Sequence, residues 1–146
     1  MPFWSAIMVI IMCEAETGLE PSIGKDMDMK AVLVIAHGSR VKETERTLVA
    51  VLNMVRERMP DLCIEHAFME FSDQTPAKAV QSLVDQKVTE IKVVPYFLFT
   101  GVHLNEDIPA IIKGCMADHP NVRVIMGEPL GVDVRLADIL VDRING

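Results

Sequence analysis

From residue 30 onward the chain repeats one pattern four times: a short, β-branched apolar run, a polar turn, then a longer segment with apolar residues at helical spacing. No other feature constrains the fold as strongly. Strands that are apolar on both sides belong in a parallel sheet covered on both faces. Parallel neighbours cannot be joined by hairpins, so each connection must cross over, and crossovers of this kind are right-handed in nearly every case. The pattern therefore predicts an α/β domain, a three-layer open parallel sheet of four strands in the order 2-1-3-4 with helices on both faces.

The run Lys30–Ala36 (K-A-V-L-V-I-A) has the continuous apolar character of a central strand. The segment Glu43 to Met59 places Leu48, Val51, Leu52, Val55 and Met59 on one helical stripe, and Pro60 stops it. Leu62–Phe68 is less uniformly apolar, which suits a strand at the sheet edge. Pro76 opens the next helix, where its missing N–H costs nothing, and Ala79, Val80, Leu83 and Val84 form its inner stripe. Glu90–Val94 is the third strand, and a long loop from Tyr96 to Asn105 leads to a helix over Glu106–Ala117. Val122–Met126 is the fourth strand. The last helix is expected over Val132–Ile144, with Val134, Ala137, Leu140, Val141 and Ile144 facing inward.

A chain of 146 residues that is 50% hydrophobic and 24% charged has the composition of one globular domain. Its net charge of −7 argues against a general nucleic-acid binder, which needs a basic face to meet phosphates. Cys13, Cys63 and Cys115 are far apart and form no C-x-x-C pair, so free thiols in a reducing cytoplasm are expected rather than a disulfide framework. Residues 1–29 differ from the rest, with five acidic side chains against one lysine. Their apolar run at 6–12 is far shorter than the roughly 20 residues a membrane span requires. It also lacks the basic flank and A-x-A site of a signal peptide, so no membrane association is expected. We read residues 1–29 as an N-terminal extension, disordered or upstream of a true start at Met27 or Met29, and residues 30–146 as the domain. A short added element that packs on the domain or a partner is the other reading.

In open α/β sheets, ligands bind beyond the carboxyl ends of the strands. His37 follows the first strand, Glu70 the second, and His103 lies in the long loop after the third. His66 and His119 lie within a strand and at a helix end, away from those loops. Two imidazoles and a carboxylate suit a borderline divalent metal such as Co²⁺, Fe²⁺, Ni²⁺ or Zn²⁺, with coordination positions left open. The same residues taken singly are ordinary loop hydrogen-bonders and solvated acids, and the pattern alone does not choose. No G-x-G-x-x-G, P-loop or G-x-S-x-G motif follows a strand, which removes the main support for dinucleotide, nucleotide and hydrolase-elbow readings.

The segments A-H-G-S-R at 36–40, F-M-E at 68–70 and V-V-P-Y-F-L-F-T-G-V-H-L-N-E-D-I-P at 93–109 resemble the class II sirohydrochlorin chelatases. The resemblance covers about residues 30–146 and matches the small, half-length form of that family. It implies a metal chelatase, a lyase inserting Co²⁺, Fe²⁺ or Ni²⁺ into sirohydrochlorin in cobalamin- or sirohaem-type biosynthesis, and working as a cytoplasmic homodimer. It implies that His37 and His103 hold the metal and accept pyrrole protons, with Glu70 as their acidic partner. No organic cofactor is implied, because the metal is a substrate. Arg40 can pair with a substrate carboxylate, or be a solvated cap. Tyr96, Phe97, Leu98 and Phe99 can wall the macrocycle, although at least two of them are expected to be core. An acidic protein that binds a polyanionic tetrapyrrole needs a local basic rim, and a linear sequence does not show one. The alternative reading is a non-catalytic metal or tetrapyrrole carrier built on the same residues.

Overall fold

The computed structural model describes residues 28–146, so nearly all of the expected extension lies outside the described residues. The domain runs β1 (Lys30–Ala36), α1 (Glu43–Arg58), β2 (Cys63–Phe68), α2 (Pro76–Asp85), β3 (Glu90–Pro95), α3 (Ile108–Met116), β4 (Arg123–Met126) and α4 (Val134–Asn145). A single π-helical turn, His103–Asp107, precedes α3 and takes up the first residues of the helix expected from Glu106. The four strands form one parallel sheet in the order β2-β1-β3-β4, as the alternation predicts. β2, with its mixed composition, is at an edge.

The sheet separates two apolar layers. On one side Leu33 and Ile35 of β1, Ala67 of β2, and Ile91 and Val93 of β3 pack with Ala79, Val80 and Leu83 of α2 and Ile108 and Ile112 of α3. On the other, Val34 and Ala36 of β1 and Ile64 and Phe68 of β2 pack with Leu48 and Leu52 of α1. Alternate residues of β1 thus serve opposite layers, which is why that strand had to be apolar throughout. α2 starts where its sequence directs: Pro76 occupies the first turn and the Thr75 hydroxyl accepts the Lys78 N–H at 3.3 Å.

The fourth helix departs from expectation. α4 forms, N-capped by Asp133, whose carboxylate accepts the Arg135 N–H at 2.9 Å. None of its residues is buried, however. Val134, Leu140, Val141 and Ile144, expected inward, are between 52% and 73% exposed, and Ala137 is exposed too. The helical period identifies the helix and its apolar stripe correctly, but within the described residues of this chain nothing covers that stripe.

Candidate active site at the carboxyl ends of the strands

The backbone ladder continues past the ends of the strands and ties the first two loops together. Beyond β1 and β2, the Met69 N–H donates to the Ala36 carbonyl and the Glu70 N–H to the His37 carbonyl, both at 3.0 Å. The Tyr96 N–H likewise donates to the Ile35 carbonyl at 2.7 Å, which fixes the start of the third loop. His37 and Glu70 are therefore held side by side on joined backbone, and both are exposed at the sheet's carboxyl end.

Gly38 makes this junction possible. Its φ is +97°, a conformation that L side chains rarely adopt, and a Cβ there would overlap the Glu70 carbonyl. The H-G pair is thus a steric requirement of the approach between the two loops. In the third loop the Gly101 carbonyl accepts the Leu104 and Asn105 N–H groups at 3.1 and 3.0 Å, closing the turn that contains His103. His103 opens the π-helical turn, on the third of the loops that leave this end of the sheet. Among the described residues no three His, Cys, Asp or Glu side chains are gathered to hold a metal ion.

Beside the His37–Glu70 junction lies a cleft of about 720 Å³ between the start of α1 and the β2–α2 loop. Arg40, Lys42, Arg46 and Lys78 line it, opposed by the carboxylates of Glu45 and Asp73. In an acidic chain this is a local basic surface, supplied by two separate segments. The Arg40 guanidinium lies 5.0 Å from the centre of the Phe71 ring, within cation–π range. Phe71 is itself left-handed, at φ 60°, and 54% exposed. A strained, exposed aromatic beside a candidate ligand is a site feature that strand-and-helix reading passes over. The one signal for it was an aromatic among the turn-forming residues Ser72, Asp73 and Gln74.

The aromatic segment after β3 divides. Phe97 is half-buried against the main core and its carbonyl accepts the Leu130 N–H at 3.0 Å. Tyr96 borders a smaller hollow of about 340 Å³ with Ala36, Thr44 and Phe68. Leu98 and Phe99 are exposed.

His66, which the sequence places outside the site, is a partly buried edge-strand histidine whose two ring nitrogens are shielded from solvent and have no hydrogen-bond partner among the described residues. Its ring meets Phe68 edge-on at 5.8 Å, and Nε2 is 4.0 Å from the Glu45 carboxylate. Burial pushes its pKa below the ordinary value; Glu65 and Glu45 pull the other way, and Arg56 adds to the lowering. A histidine with a depressed folded-state pKa is protonated more readily when unfolded. Stability should therefore fall as pH drops below about 6.5, down to the folded-state pKa. Urea melts between about pH 7 and pH 5 should show wild type losing more stability than His66→Leu. Equal losses would remove His66 as the cause. The Cys63 thiol donates to the Gln86 side-chain carbonyl at 3.2 Å, and burial pushes the Cys115 thiol up, which favours its protonated form.

The whole domain has known counterparts. A family profile described as CbiX matches residues 31–146. The sirohydrochlorin ferrochelatase of Priestia megaterium is 38% identical over 128 residues, covering 87% of this chain and 48% of that protein. The sirohydrochlorin cobaltochelatase of Methanocaldococcus jannaschii is 32% identical over 142 residues, covering 81% of this chain and 99% of that protein. The crystal structure of the sirohydrochlorin chelatase SirB from Bacillus subtilis subspecies spizizenii, in complex with cobalt, superposes with a TM-score of 0.75 at 30% identity, covering 80% of this chain and 50% of that one. The chain thus spans about half the length of the two bacterial proteins and nearly all of the archaeal one. The match extends over the strands and the loops that carry His37, Glu70 and His103, and on that ground the chain belongs to the CbiX family.

Proposed function

We propose that this chain is a metal chelatase that inserts a divalent metal, Co²⁺ or alternatively Fe²⁺ or Ni²⁺, into sirohydrochlorin. The observation that carries the reading is the nearly end-to-end match to a relative named as a sirohydrochlorin cobaltochelatase. Residues 30–146 are the catalytic domain in this reading. It acts in the cytoplasm as a homodimer, in cobalamin- or sirohaem-type tetrapyrrole synthesis. The free thiol of Cys115 suits a reducing compartment. No helix among the described residues is long and apolar enough to cross a membrane.

The chemistry explains the residue types. The site must hold the incoming metal firmly enough to deliver it and weakly enough to lose it to the macrocycle nitrogens. Imidazole and carboxylate ligands with open positions meet both demands, whereas four thiolates would retain the metal. His37 and His103 hold the metal substrate, with Glu70 beside His37. Once the metal has moved, the imidazoles accept the displaced pyrrole protons as general bases. Arg40 and the cations around it meet the acidic side arms of the tetrapyrrole, where a guanidinium can bind a carboxylate with two parallel hydrogen bonds. Tyr96 and the exposed edge of Phe97 face the macrocycle.

The test is direct. The purified protein is mixed anaerobically with sirohydrochlorin and, separately, Co²⁺, Fe²⁺ and Ni²⁺, and the absorption spectrum is followed against a protein-free blank. Acceleration with any one metal supports the chelatase, and the order of rates identifies the preferred metal. Binding of metal or tetrapyrrole without acceleration would overturn it in favour of a carrier.

A further inference from the structure

Two non-glycine residues among the described residues have left-handed backbone, Phe71 at φ 60° and Lys87 at φ 64°. Lys87 follows the cap of α2, where helices commonly end in this conformation. Phe71 has no such reason. A left-handed turn position favours glycine or asparagine, and a bulky side chain there is an outlier. Core packing does not explain the ring either, since it is exposed. What the ring does meet is Arg40, whose guanidinium carbon lies over it at 5.0 Å from the ring centre.

The loop around Phe71 is held from both sides. Before it, the Glu70 N–H donates to the His37 carbonyl at 3.0 Å. After it, the Ser72 hydroxyl accepts the Gln74 N–H at 3.1 Å, the Gln74 carbonyl accepts the Phe68 N–H at 2.8 Å, and the Gln74 side chain donates to the His66 carbonyl at 3.0 Å. Strain of this kind persists where the surroundings over-determine it, and it collects at ligand clamps. Arg40 comes from the other side of the same junction, just after Gly38, where the Ser39 hydroxyl accepts the Val41 N–H at 3.1 Å. The contact thus joins the loop that carries Glu70 to the loop that carries His37.

Arg40 also differs from its neighbour in the cleft. Among the described residues Arg46 pairs with Glu43 at 3.4 Å, whereas no carboxylate pairs with Arg40. An exposed arginine loses much rotamer freedom when it binds. An aromatic face restrains the guanidinium without neutralising it, so its charge stays available to an incoming anion.

We propose that Phe71 is a positioning residue for Arg40: its ring holds the guanidinium in the orientation that receives a carboxylate of the tetrapyrrole. The inference rests on the proposed function for the identity of the ligand. It adds that the arginine is set before the ligand arrives. The ring acts through Arg40, by removing part of the cost of ordering that side chain at the moment of binding.

Titration with metal-free sirohydrochlorin, followed by its absorption spectrum, tests this without turnover. Phe71→Gly should raise Kd by about 10-fold, the combined effect of a lost cation–π contact and a re-freed arginine. Its thermal melt should stay close to wild type, because glycine takes φ 60° without strain and an exposed ring gives up little packing. Phe71→Tyr keeps the ring and should bind as wild type does. Arg40→Met should weaken binding at least as much as Phe71→Gly, and combining the two should cost little more than Arg40→Met alone. In the insertion assay, KM for sirohydrochlorin should rise in Phe71→Gly while kcat holds, the pattern of lost uniform binding. An unchanged Kd in Phe71→Gly or in Arg40→Met, or a tyrosine variant as weak as the glycine one, would overturn the positioning role. So would a further loss of about 10-fold in the Arg40→Met background, since the ring would then act on the macrocycle or the fold and not through Arg40. Those results leave the chelatase standing. A wild type that binds sirohydrochlorin without accelerating insertion would remove the chelatase, and the Kd series would still decide the role of Phe71. A wild type that binds no sirohydrochlorin would overturn both.

Discussion

His37→Ala and His103→Ala are each expected to slow metal insertion into sirohydrochlorin by about 10²–10⁴-fold, the usual contribution of a positioned proton-transfer group, and by more where metal delivery is lost too. His37 is exposed at the end of β1, so its truncation removes no core packing and the thermal melt should stay close to wild type. Cobalt titration distinguishes the two duties. If the imidazoles hold the metal, Co²⁺ affinity and insertion rate fall together. If one of them serves only as the proton acceptor, affinity survives and the rate alone falls. Glu70→Gln provides the comparison, because it removes the carboxylate charge while keeping the side chain's shape. Full insertion rates in either histidine variant would remove that residue from the site.

Gly38→Ala should have the largest effect on stability of any single-methyl change in the domain. The added Cβ would overlap the Glu70 carbonyl, and the backbone at φ +97° is one that alanine adopts only under strain. Backbone strain and a clash with main chain both apply, so we expect a loss of about 3 kcal/mol or more in urea unfolding. The loops can escape only by separating, which pulls Glu70 away from His37. Insertion should therefore drop even in molecules that remain folded. Gly114→Ala is the control: that glycine is exposed in α3, an added methyl would meet nothing within 4 Å, and helix propensity alone favours the change by about 0.5–1 kcal/mol. Equal behaviour of the two variants would mean that the H-G junction does not carry the site.

Much of this molecule is legible in the linear chain, for reasons visible in particular residues. Lys30–Ala36 reads as a central strand because both of its faces are buried, so no polar residue interrupts it. The order β2-β1-β3-β4 follows from right-handed crossovers and the mixed character of Cys63–Phe68. The placement of His37 and Glu70 at one end of the sheet follows from parallelism alone, since every strand–helix loop of such a sheet leaves from the carboxyl side. The start of α3 was less legible: the chain reads as loop to Asn105 and helix from Glu106, but His103–Asp107 form one wider π turn ahead of α3, and residue pattern does not distinguish hydrogen-bond spacing.

Sequence by itself determined the α/β architecture, the strand order, the candidate residues and the family, because burial periodicity and chain connectivity act locally or through simple topology. Only the tertiary structure decided that the His37 and Glu70 loops are joined through Gly38. Only the tertiary structure gathered Arg40, Lys42, Arg46 and Lys78 around one cleft and set Phe71 under Arg40. These are contacts between segments far apart in the chain, and their geometry depends on how two loops leave neighbouring strands. α4 illustrates the same division. Its apolar stripe is written in the sequence and announces that something must cover it. Which surface does so is a matter of where the chain goes after Gly131, and amphipathicity carries no information about that.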